Sequence, residues 1–345
     1  MKALFIGLGS IGQRHLRNFL MLSDSNKKVI ALRSTGTNNI LINGSSLPCK
    51  NLAEHYDLTE YVELNDVLEQ NPDVGFVCNP SKLHLEYACE LAEKGISLFI
   101  EKPLATDTIL LDKLEKIISK KELTTLVGFQ SRFNPCIKET KRILRKQEFG
   151  RVISGDFMWC TYLPDHHPYE DYRDSYAARE DLGGGVTFSL CHELDLIQYL
   201  FGLPKTVYAL EGGKSNLGIN VEDTVTALFS CLEETRTFPV SLRLSFAQGL
   251  EKRRFEILME NGLLECDLQK NCITVLNQKK QIIFEKEFKQ LKRNDLFLYE
   301  MEHFLNSVSM RKDTLIPVAE GKKSLIMALG IHNSLKKAKI VELYL

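Results

Sequence analysis

A glycine-rich turn near the start of the sequence constrains the fold more than any other feature. The apolar run Ala3–Ile6 leads into Gly7-Leu-Gly9-Ser-Ile-Gly12, and a helix-like stretch follows. Between a strand and a helix, such glycines allow a tight turn, close approach to a diphosphate and close helix–strand packing. Unpaired N–H groups at the helix start also favour an anion. The motif predicts a dinucleotide site rather than a purely structural turn, with contacts at Gly7, Gly9, Ser10, Ile11 and Gly12.

Length and composition indicate a globular protein with two domains. The 345 residues correspond to two domains of about 150 residues each. With 44 basic and 45 acidic residues the net charge is −1, which gives no general field for nucleic acid or an anionic membrane. No apolar run reaches the roughly 18 residues of a membrane span, and no signal peptide is recognisable. Nine cysteines without a CxxC pair predict reduced thiols and a cytoplasmic location.

The first third of the chain alternates short apolar runs with helical patterns. Val29–Leu32, Val74–Cys78 and Ser97–Ile100 are predicted strands, and a helix is predicted from about Leu83 to Lys94, ending at Gly95. This alternation is typical of βαβ units and a parallel sheet. We therefore expect an α/β fold that begins with a doubly wound Rossmann domain over residues 1–122.

The pattern changes in the second part of the chain, residues 123–345. Alternating segments such as Val152–Tyr162, Thr224–Phe229 and Val240–Phe246 predict a large, mainly antiparallel open sheet in an α+β domain. Two helices are predicted near the C-terminus, around residues 298–308 and 317–336. We expect this second domain to bind substrate and to support oligomerisation, with its C-terminal helices free to pack back on the first domain.

Polar residues follow two of the predicted parallel strands. Asn79 and Pro80 end one strand, and Glu101 and Lys102 end the next. Ligands of such sheets lie outside the carboxyl ends of the strands, so these residues are candidate cofactor contacts. Lys102 could donate to a substrate hydroxyl or to the cofactor, the alternative being a surface lysine. His84 lies near the same turn and is predicted as polar lining.

A second constellation joins glycines to a histidine. Gly183–Gly185 precede a predicted helix that carries His192, and Asp195 lies one turn further on the same face. A histidine suits reversible proton transfer because its ordinary pKa lies near neutral pH. Alone, a helix histidine is more often structural. Together with an upstream nucleotide site, it becomes a candidate catalytic residue.

Taken together, and in their order along the chain, these motifs resemble those of a known protein family. The glycine turn, Glu101-Lys102-Pro103, the segment Gly128–Pro135 with Arg132, and the glycine run with His192 and Asp195 resemble the glucose–fructose oxidoreductase/inositol dehydrogenase/MocA family over essentially the whole chain. The resemblance implies a Rossmann domain followed by an α/β substrate domain. It also implies oxidation or reduction of a carbohydrate hydroxyl or ketone with NAD(H) or NADP(H), in dimers or tetramers packed through the open sheet.

The resemblance also assigns residues. Lys102 matches the family's active-site lysine, and His192 matches its proton-transferring histidine. Where the family usually has an aspartate before this histidine, the chain has Ser189. A serine can hydrogen-bond the substrate but cannot stabilise an imidazolium by charge. Asp195 is then the expected supporting carboxylate, with Asp181 or Glu193 as alternatives.

The residues after the second strand bear on the choice of cofactor. The stretch Leu32-Arg33-Ser34-Thr35-Gly36 contains no acid that could accept hydrogen bonds from a ribose 2′-hydroxyl. An arginine with hydroxyl donors suits a 2′-phosphate. We expect Arg33 and Ser34 to contact the cofactor and NADP(H) to be favoured. NAD(H), with Arg33 stacked on adenine, is the alternative.

A loop rich in aromatic and charged residues precedes the glycine run. Such side chains suit a polyhydroxylated or carboxylated ring. The two arginines raise an acidic sugar or a sugar nucleotide as substrate. The adjacent His166-His167 pair lacks metal-ligand spacing, so no metal is expected. The predicted substrate contacts are Arg132, Tyr172, Arg173, Tyr176 and Arg179.

The sequence as a whole predicts an NAD(P)-dependent oxidoreductase acting on a sugar, cyclitol or sugar-derived compound. Lys102, His192, Ser189 and Asp195 are the expected catalytic residues. Two alternatives stay open. One is redox-assisted elimination or hydrolysis of a glycoside with a tightly bound cofactor. The other is a non-catalytic dinucleotide-binding sensor or scaffold.

Overall fold

The computed structural model of the protein describes residues 1–23, 27–33, 38–42 and 44–345. Predicted cofactor contact Ser34 lies outside these residues. The strands, in chain order, are β1 (Lys2–Ile6), β2 (Lys28–Leu32), β3 (Asn39–Ile42), β4 (Ser45–Pro48), β5 (Thr59–Tyr61), β6 (Val74–Val77), β7 (Ser97–Ile100), β8 (Thr125–Val127), β9 (Val152–Tyr162), β10 (Thr206–Glu211), β11 (Thr224–Glu233), β12 (Arg236–Ser245), β13 (Ala247–Met259), β14 (Gly262–Asp267), β15 (Cys272–Leu276), β16 (Ile282–Glu287) and β17 (Val341–Glu342).

Helices alternate with the strands in the first part of the chain and cluster near the C-terminus. They are α1 (Ser10–Leu22), α2 (Leu52–Tyr56), α3 (Leu64–Leu68), α4 (His84–Glu93), α5 (Leu111–Lys121), α6 (Pro135–Lys146), α7 (Val186–Ser189), α8 (His192–Phe201), α9 (Arg293–Met310) and α10 (Val318–Lys337). None of the helices in the described ranges combines the length and the apolar character that a membrane crossing requires.

The first sheet is parallel, with the strand order β5-β2-β1-β6-β7-β8 among the described residues. Strand β1 lies between β2 and β6, and both pairings are parallel. The central strands are apolar and buried on both faces, as expected where helices cover a parallel sheet on both sides. The chain order reverses beside β1, and the carboxyl ends of β1 and β6 open a crevice there. The predicted doubly wound sheet is confirmed.

The second sheet is mainly antiparallel, with the strand order β16-β15-β14-β13-β9-β12-β11-β10-β17 in the described part of the chain. Only the pairing of β9 with β12 departs from this direction among its described neighbours, because these two strands run parallel. Along β11, buried Val225, Ala227 and Phe229 alternate with more exposed residues. One face therefore packs inward, against α8 and α10. This confirms the predicted large, mainly antiparallel sheet.

The two C-terminal helices both pack on the first sheet, and α10 also contacts the second. On α9, the ring of Phe304 packs edge-to-face on Phe76 and Phe99 of the first sheet, with centroids 5.7 and 5.5 Å apart. On α10, a Cβ added at Gly321 would lie 2.6 Å from Val127 in β8, so a larger residue would not fit. Helix α10 also contacts β10 of the second sheet. Because α10 contacts both sheets, it holds the two parts of the chain in a fixed orientation.

Replacing Phe304 with alanine tests the packing of α9 on the first sheet. Phe304 is fully buried, so Phe304→Ala should lower the free energy of unfolding in urea by about 3–5 kcal/mol. The matched control is Tyr299→Ala on the same helix, where the side chain is 44% exposed and little should change. Equal effects of the two substitutions would contradict the packing of α9 on the first sheet.

Candidate active site

A cavity of about 1250 Å³ lies between the two sheets. The glycine turn and the carboxyl ends of β6 and β7 line one side. The segment after β9, the start of α8 and the start of α9 line the other. Residues far apart in the sequence therefore face one space, which is large enough for a dinucleotide and a small substrate.

The glycine turn opens toward this cavity. Gly7 has a φ of +88°, a left-handed conformation that favours glycine. A Cβ on Gly9 would meet no atom within 4 Å, so the backbone there is accessible to a ligand. No side chain caps the start of α1 among the described residues, which leaves its first N–H groups available to an anion. This geometry fits a dinucleotide diphosphate.

Gly12 has a different role from its neighbours in the motif. A Cβ at this position would lie 2.1 Å from the carbonyl oxygen of Gly7. Gly7, Gly9, Ser10 and Ile11 line the cavity, whereas Gly12 is buried beneath the turn. Gly12 is thus required for packing of α1 against the turn, and its contact with the cofactor stays a prediction.

The ends of β6 and β7 bring the predicted polar residues to the cavity. Asn79, Pro80, His84 and Lys102 all line it. The amide nitrogen and oxygen of Asn79 are both buried without a hydrogen-bond partner among the described residues. The ring nitrogens of His84 lie 2.8 and 2.9 Å from the carbonyl oxygens of Pro103 and Asn79, which fixes the ring. Asn79 is therefore available for the hydroxyl or amide groups of a cofactor.

Glu101 anchors the segment that carries Lys102. One carboxylate oxygen of Glu101 lies 2.5 Å from Nε2 of the buried His15, and the other accepts the backbone N–H of Lys102. Burial alone would raise the pKa of Glu101, but the contacts with His15 and Lys102 outweigh it and lower the pKa. The buried carboxylate therefore stays charged and holds the backbone at Lys102 in place.

Lys102 reaches from the first sheet to the turn before α8. Its ammonium donates a hydrogen bond of 2.9 Å to the carbonyl oxygen of Ser189. Burial by itself lowers the pKa of Lys102, but Tyr176, Cys191 and Glu101 raise it above the ordinary value overall. Lys102 is therefore a protonated donor at neutral pH.

His192, at the start of α8, is buried and neutral. Its ring lies 5.7 Å from the ring of Phe129 and 5.8 Å from that of Trp159. Burial, and then the charges of Lys102, Arg253 and Arg293, lower the pKa of His192 well below its ordinary value. Its Nδ1 and the hydroxyl of Ser189 have no hydrogen-bond partner among the described residues. Both residues line the cavity, but these two atoms are themselves buried, and Nε2 of His192 lies 3.5 Å from the amide nitrogen of Gln130.

Asp195 lies away from the cavity lining, contrary to expectation. It is fully buried and accepts two hydrogen bonds, of 2.8 and 2.7 Å, from the guanidinium of Arg132. Arg132 also forms an ion pair with Glu320 and lies 4.7 Å from the ring centre of Tyr199. A buried guanidinium needs a carboxylate partner, and this need directs both side chains toward each other. The predicted supporting carboxylate, Asp195, and the predicted substrate contact, Arg132, thus lie in the core and outside the cavity lining.

The loop before the glycine run is also placed differently from the prediction. Tyr176 lines the cavity as expected. The hydroxyl of Tyr172 instead donates to the carbonyl of Leu217. Arg173 and Arg179 are exposed and pair with nearby acids of the same loop, as short-range ion pairs do at a solvated surface. Tyr172, Arg173 and Arg179 lie outside the cavity lining, and their contact with substrate stays a prediction.

Other cavity residues carried no recognisable sequence signal. Arg253 on β13 lies 4.0 Å from the ring centre of Trp159 and donates to Glu193 at 2.7 Å and to Ser131 at 2.9 Å. Trp159 lines the cavity beside His192. Only the strand pairing of β9 with β13 brings Trp159 and Arg253 together.

Arg33 lies at the end of β2 and lines the cavity near the glycine turn. It forms an ion pair with Glu60 of β5. The Glu60 carboxylate therefore lies near the predicted ribose position. It comes from β5, whereas the ribose-binding acid of such folds is expected after the second strand. Within the described ranges, no group of three or more histidine, cysteine or acidic side chains is arranged to hold a metal ion.

The buried pair predicts a large stability effect at Asp195. Asp195→Ala leaves the charge of Arg132 without its main partner and should cost about 3–5 kcal/mol of unfolding free energy. Asp171→Ala breaks the exposed pair with Arg173 and should leave the urea midpoint nearly unchanged. If both variants were as stable as the wild type, Asp195 would not have the structural role assigned above.

Comparison with known proteins agrees with this architecture. Residues 1–129 match the model of the oxidoreductase family with an NAD-binding Rossmann fold, and residues 137–265 match the GFO/IDH/MocA C-terminal domain. The uncharacterized oxidoreductase YrbE of Bacillus subtilis is 27% identical over 210 residues, which cover 59% of this chain and 55% of that protein. The match therefore spans about half the length of YrbE.

Two further relatives match along the whole chain. Myo-inositol 2-dehydrogenase of Thermotoga maritima is 21% identical over 360 residues, covering 99% of this chain and 98% of that protein. The structure of levoglucosan dehydrogenase in complex with NADH superposes with a TM-score of 0.83 at 15% identity, covering 100% of this chain and 99% of that one. At this identity the superposition shows a shared fold. With both domain models matched in order, the chain belongs to the glucose–fructose oxidoreductase/inositol dehydrogenase/MocA family.

Proposed function

We propose that the protein is an NAD(P)-dependent dehydrogenase or reductase that interconverts a hydroxyl and a ketone on a sugar, cyclitol or sugar-derived compound. One observation carries this proposal. Lys102, Ser189 and the neutral His192 line the same cavity as the glycine turn, so a charged donor, a hydroxyl and a proton acceptor lie beside the proposed dinucleotide site. The names of two relatives, myo-inositol 2-dehydrogenase and levoglucosan dehydrogenase, support the substrate class.

The dinucleotide would be held at the edge of the first sheet. Gly7, Gly9, Ser10 and Ile11 would bind its diphosphate through backbone N–H groups, and Asn79 would hydrogen-bond its polar groups. When bound, the cofactor supplies the hydride acceptor or donor. We further propose that residues 1–122 serve this binding and that residues 123–345 supply the substrate side and the oligomer contacts.

Lys102 and His192 divide the handling of the substrate oxygen. The Lys102 ammonium donates a hydrogen bond to the hydroxyl and stabilises negative charge as it develops there. The neutral His192 accepts the hydroxyl proton at its unprotonated ring nitrogen, and in the reverse direction returns it to the ketone oxygen. The Ser189 hydroxyl has no other partner among the described residues and can bind the same or a neighbouring substrate oxygen.

Asp195 contributes to this chemistry through position. It lies one helical turn beyond His192 and is fixed by Arg132, which follows β8 of the first sheet. The pair therefore sets the distance between α8 and the sheet edge. We propose that Arg132 and Asp195 are positioning residues rather than contacts of substrate.

We propose that NADP(H) is favoured over NAD(H). Arg33 follows β2, where an adenosine ribose is bound in such folds, and its guanidinium could pair with a 2′-phosphate. Glu60 competes for the same guanidinium. The preference is therefore expected to be moderate.

The outer face of the second sheet supports an oligomer. Several large apolar residues are exposed on this sheet, and a group of such residues, unlike a single one, indicates an interaction surface. The strand register places exposed Leu210, Leu228, Leu258 and Ile282 on this face. A homodimer or homotetramer that packs through this face would bury them.

All nine cysteines are free thiols, which fits a cytoplasmic, reducing location.

A substrate screen with both cofactors tests the proposed function. Sugars, polyols and cyclitols are added with NADP or NAD, and the absorbance of reduced nicotinamide is followed after a check for nucleotide that co-purifies. Net reduction of the cofactor supports a dehydrogenase. Conversion of a glycoside without net cofactor change would instead indicate redox-assisted elimination or hydrolysis. Binding without any turnover would indicate a sensor or scaffold.

His192→Ala separates proton handling from cofactor binding. Loss of the base should lower kcat by about 10²–10⁴-fold, while the Kd of NADPH stays within a few-fold of the wild type. His55→Gln, at an exposed position on α2 outside the cavity lining, is the matched control and should retain full activity. A His192→Ala enzyme with wild-type kcat would reject His192 as the base.

The cofactor preference is tested at Arg33 by binding titrations. Arg33→Ala should weaken NADPH by roughly 10-fold or more, with little change for NADH, because a charged hydrogen-bond partner of the phosphate is lost. Glu60→Gln should tighten NADPH by removing the competing carboxylate. A wild-type protein that binds NADH more tightly than NADPH would overturn the preference.

A further inference from the structure

The segment Leu163–Ser175, here called the strap, crosses the cavity. It begins where β9 leaves the second sheet and lines the same cavity as the glycine turn of the first. The lining residues of the strap include Asp165, His166, His167, Tyr169, Glu170, Asp174 and Ser175. Nothing in the proposed reaction uses the middle of the strap.

The middle of the strap rests on the first domain. The Cδ atom of Pro168 lies 3.8 Å from the position of a Cβ on Gly44, in the turn between β3 and β4. The next residue, Tyr169, lines the same cavity as Ser10, and burial and the charge of Glu170 raise the pKa of its hydroxyl. Ser10 begins α1, where a diphosphate would bind. The strap therefore covers the diphosphate position from the side of the second domain.

His167 and Tyr169 form a hydrogen-bonded pair at this place. Nδ1 of His167 lies 2.6 Å from the Tyr169 hydroxyl. If the tyrosine donates, Nε2 of His167 carries the remaining proton. If the histidine donates, the tyrosine O–H is left over. Either arrangement leaves one donor for an anion. The Glu170 carboxylate, 3.4 Å from Nδ1, favours a proton there and hence an available tyrosine O–H.

Fixed positive charges surround the pair. Burial, and then the charges of Arg293 and Lys102, lower the pKa of His167, so the imidazole is neutral. Arg14, on α1, lines the same cavity and contacts Asn294 at the start of α9. The acids Asp165, Glu170 and Asp174 lie on the strap itself. An anion next to Tyr169 would meet the neutral His167–Tyr169 pair and the Glu170 carboxylate on the strap, and the cations Arg14, Arg293 and Lys102 outside it.

We propose that Tyr169, oriented by His167, binds the dinucleotide diphosphate from the second domain, so that cofactor release requires the strap to leave α1 and Gly44. This inference rests on the proposed function, because it needs a dinucleotide in the cavity. It assigns Tyr169 a cofactor contact and His167 a positioning role. The strap would then set the rate of cofactor exchange.

The dissociation rate of NADPH tests the proposal directly. Wild-type protein loaded with NADPH is mixed with excess NADP in a stopped-flow instrument, and nicotinamide fluorescence is followed. Tyr169→Phe removes one oxygen and should keep the fold, yet release should be about 10-fold faster, as for a lost hydrogen bond to a charged group. Pro168→Gly, which loosens the contact with Gly44, should also accelerate release.

Asp171→Asn is the matched control, because Asp171 lies on the strap, outside the cavity lining, and pairs with exposed Arg173. Its release rate should equal that of the wild type. Unchanged release from Tyr169→Phe, or equal acceleration by Asp171→Asn, would overturn the strap's role while the proposed function stands. Failure of the wild type to bind either NADPH or NADH would overturn both.

Discussion

The buried ion pair between Arg132 and Asp195 is the contact on which the site depends. Arg132 follows the last strand of the first sheet, and Asp195 lies on the helix that begins with His192. Two hydrogen bonds between their side chains fix the orientation of the Asp195 carboxylate relative to the Arg132 guanidinium. Removing one member of such a pair costs several kcal/mol, because the other charge stays buried. The buried Arg132–Asp195 ion pair thus sets the position of His192 relative to the edge of the first sheet.

This constraint gives His192 its chemical character. Held in a buried position among Lys102, Arg253 and Arg293, the imidazole has a pKa well below its ordinary value and is neutral at physiological pH. Lys102 is protonated and tied to the carbonyl of Ser189. In the proposed mechanism, this neutral acceptor and this charged donor share one substrate oxygen. Hydroxyl–ketone interconversion requires one group that accepts a proton and one that donates a hydrogen bond. The lowered pKa of His192 and the raised pKa of Lys102 suit these two roles.

Local features of the chain could be predicted from the sequence, whereas long-range pairings could not. The glycine turn, the strands that end at Asn79 and Lys102, and the helix with His192 follow from periodicity and turn chemistry. The partner of Asp195 lies 63 residues away, and only the folded topology brings Arg132 to it. Trp159 and Arg253 likewise meet through strand pairing. For Arg173 and Arg179, local acids competed with the expected substrate, which composition alone does not reveal.

The protonation state of His192 is the most direct measure of this arrangement. The protein is labelled with ¹³C-histidine, the His192 resonance is assigned by its loss in His192→Ala, and the shift is followed by NMR between about pH 5 and pH 8. Because the folded-state pKa is depressed, His192 should stay neutral over this range while exposed histidines titrate near about 6.5. A His192 resonance that titrates at or above that value would contradict a neutral base held in the core.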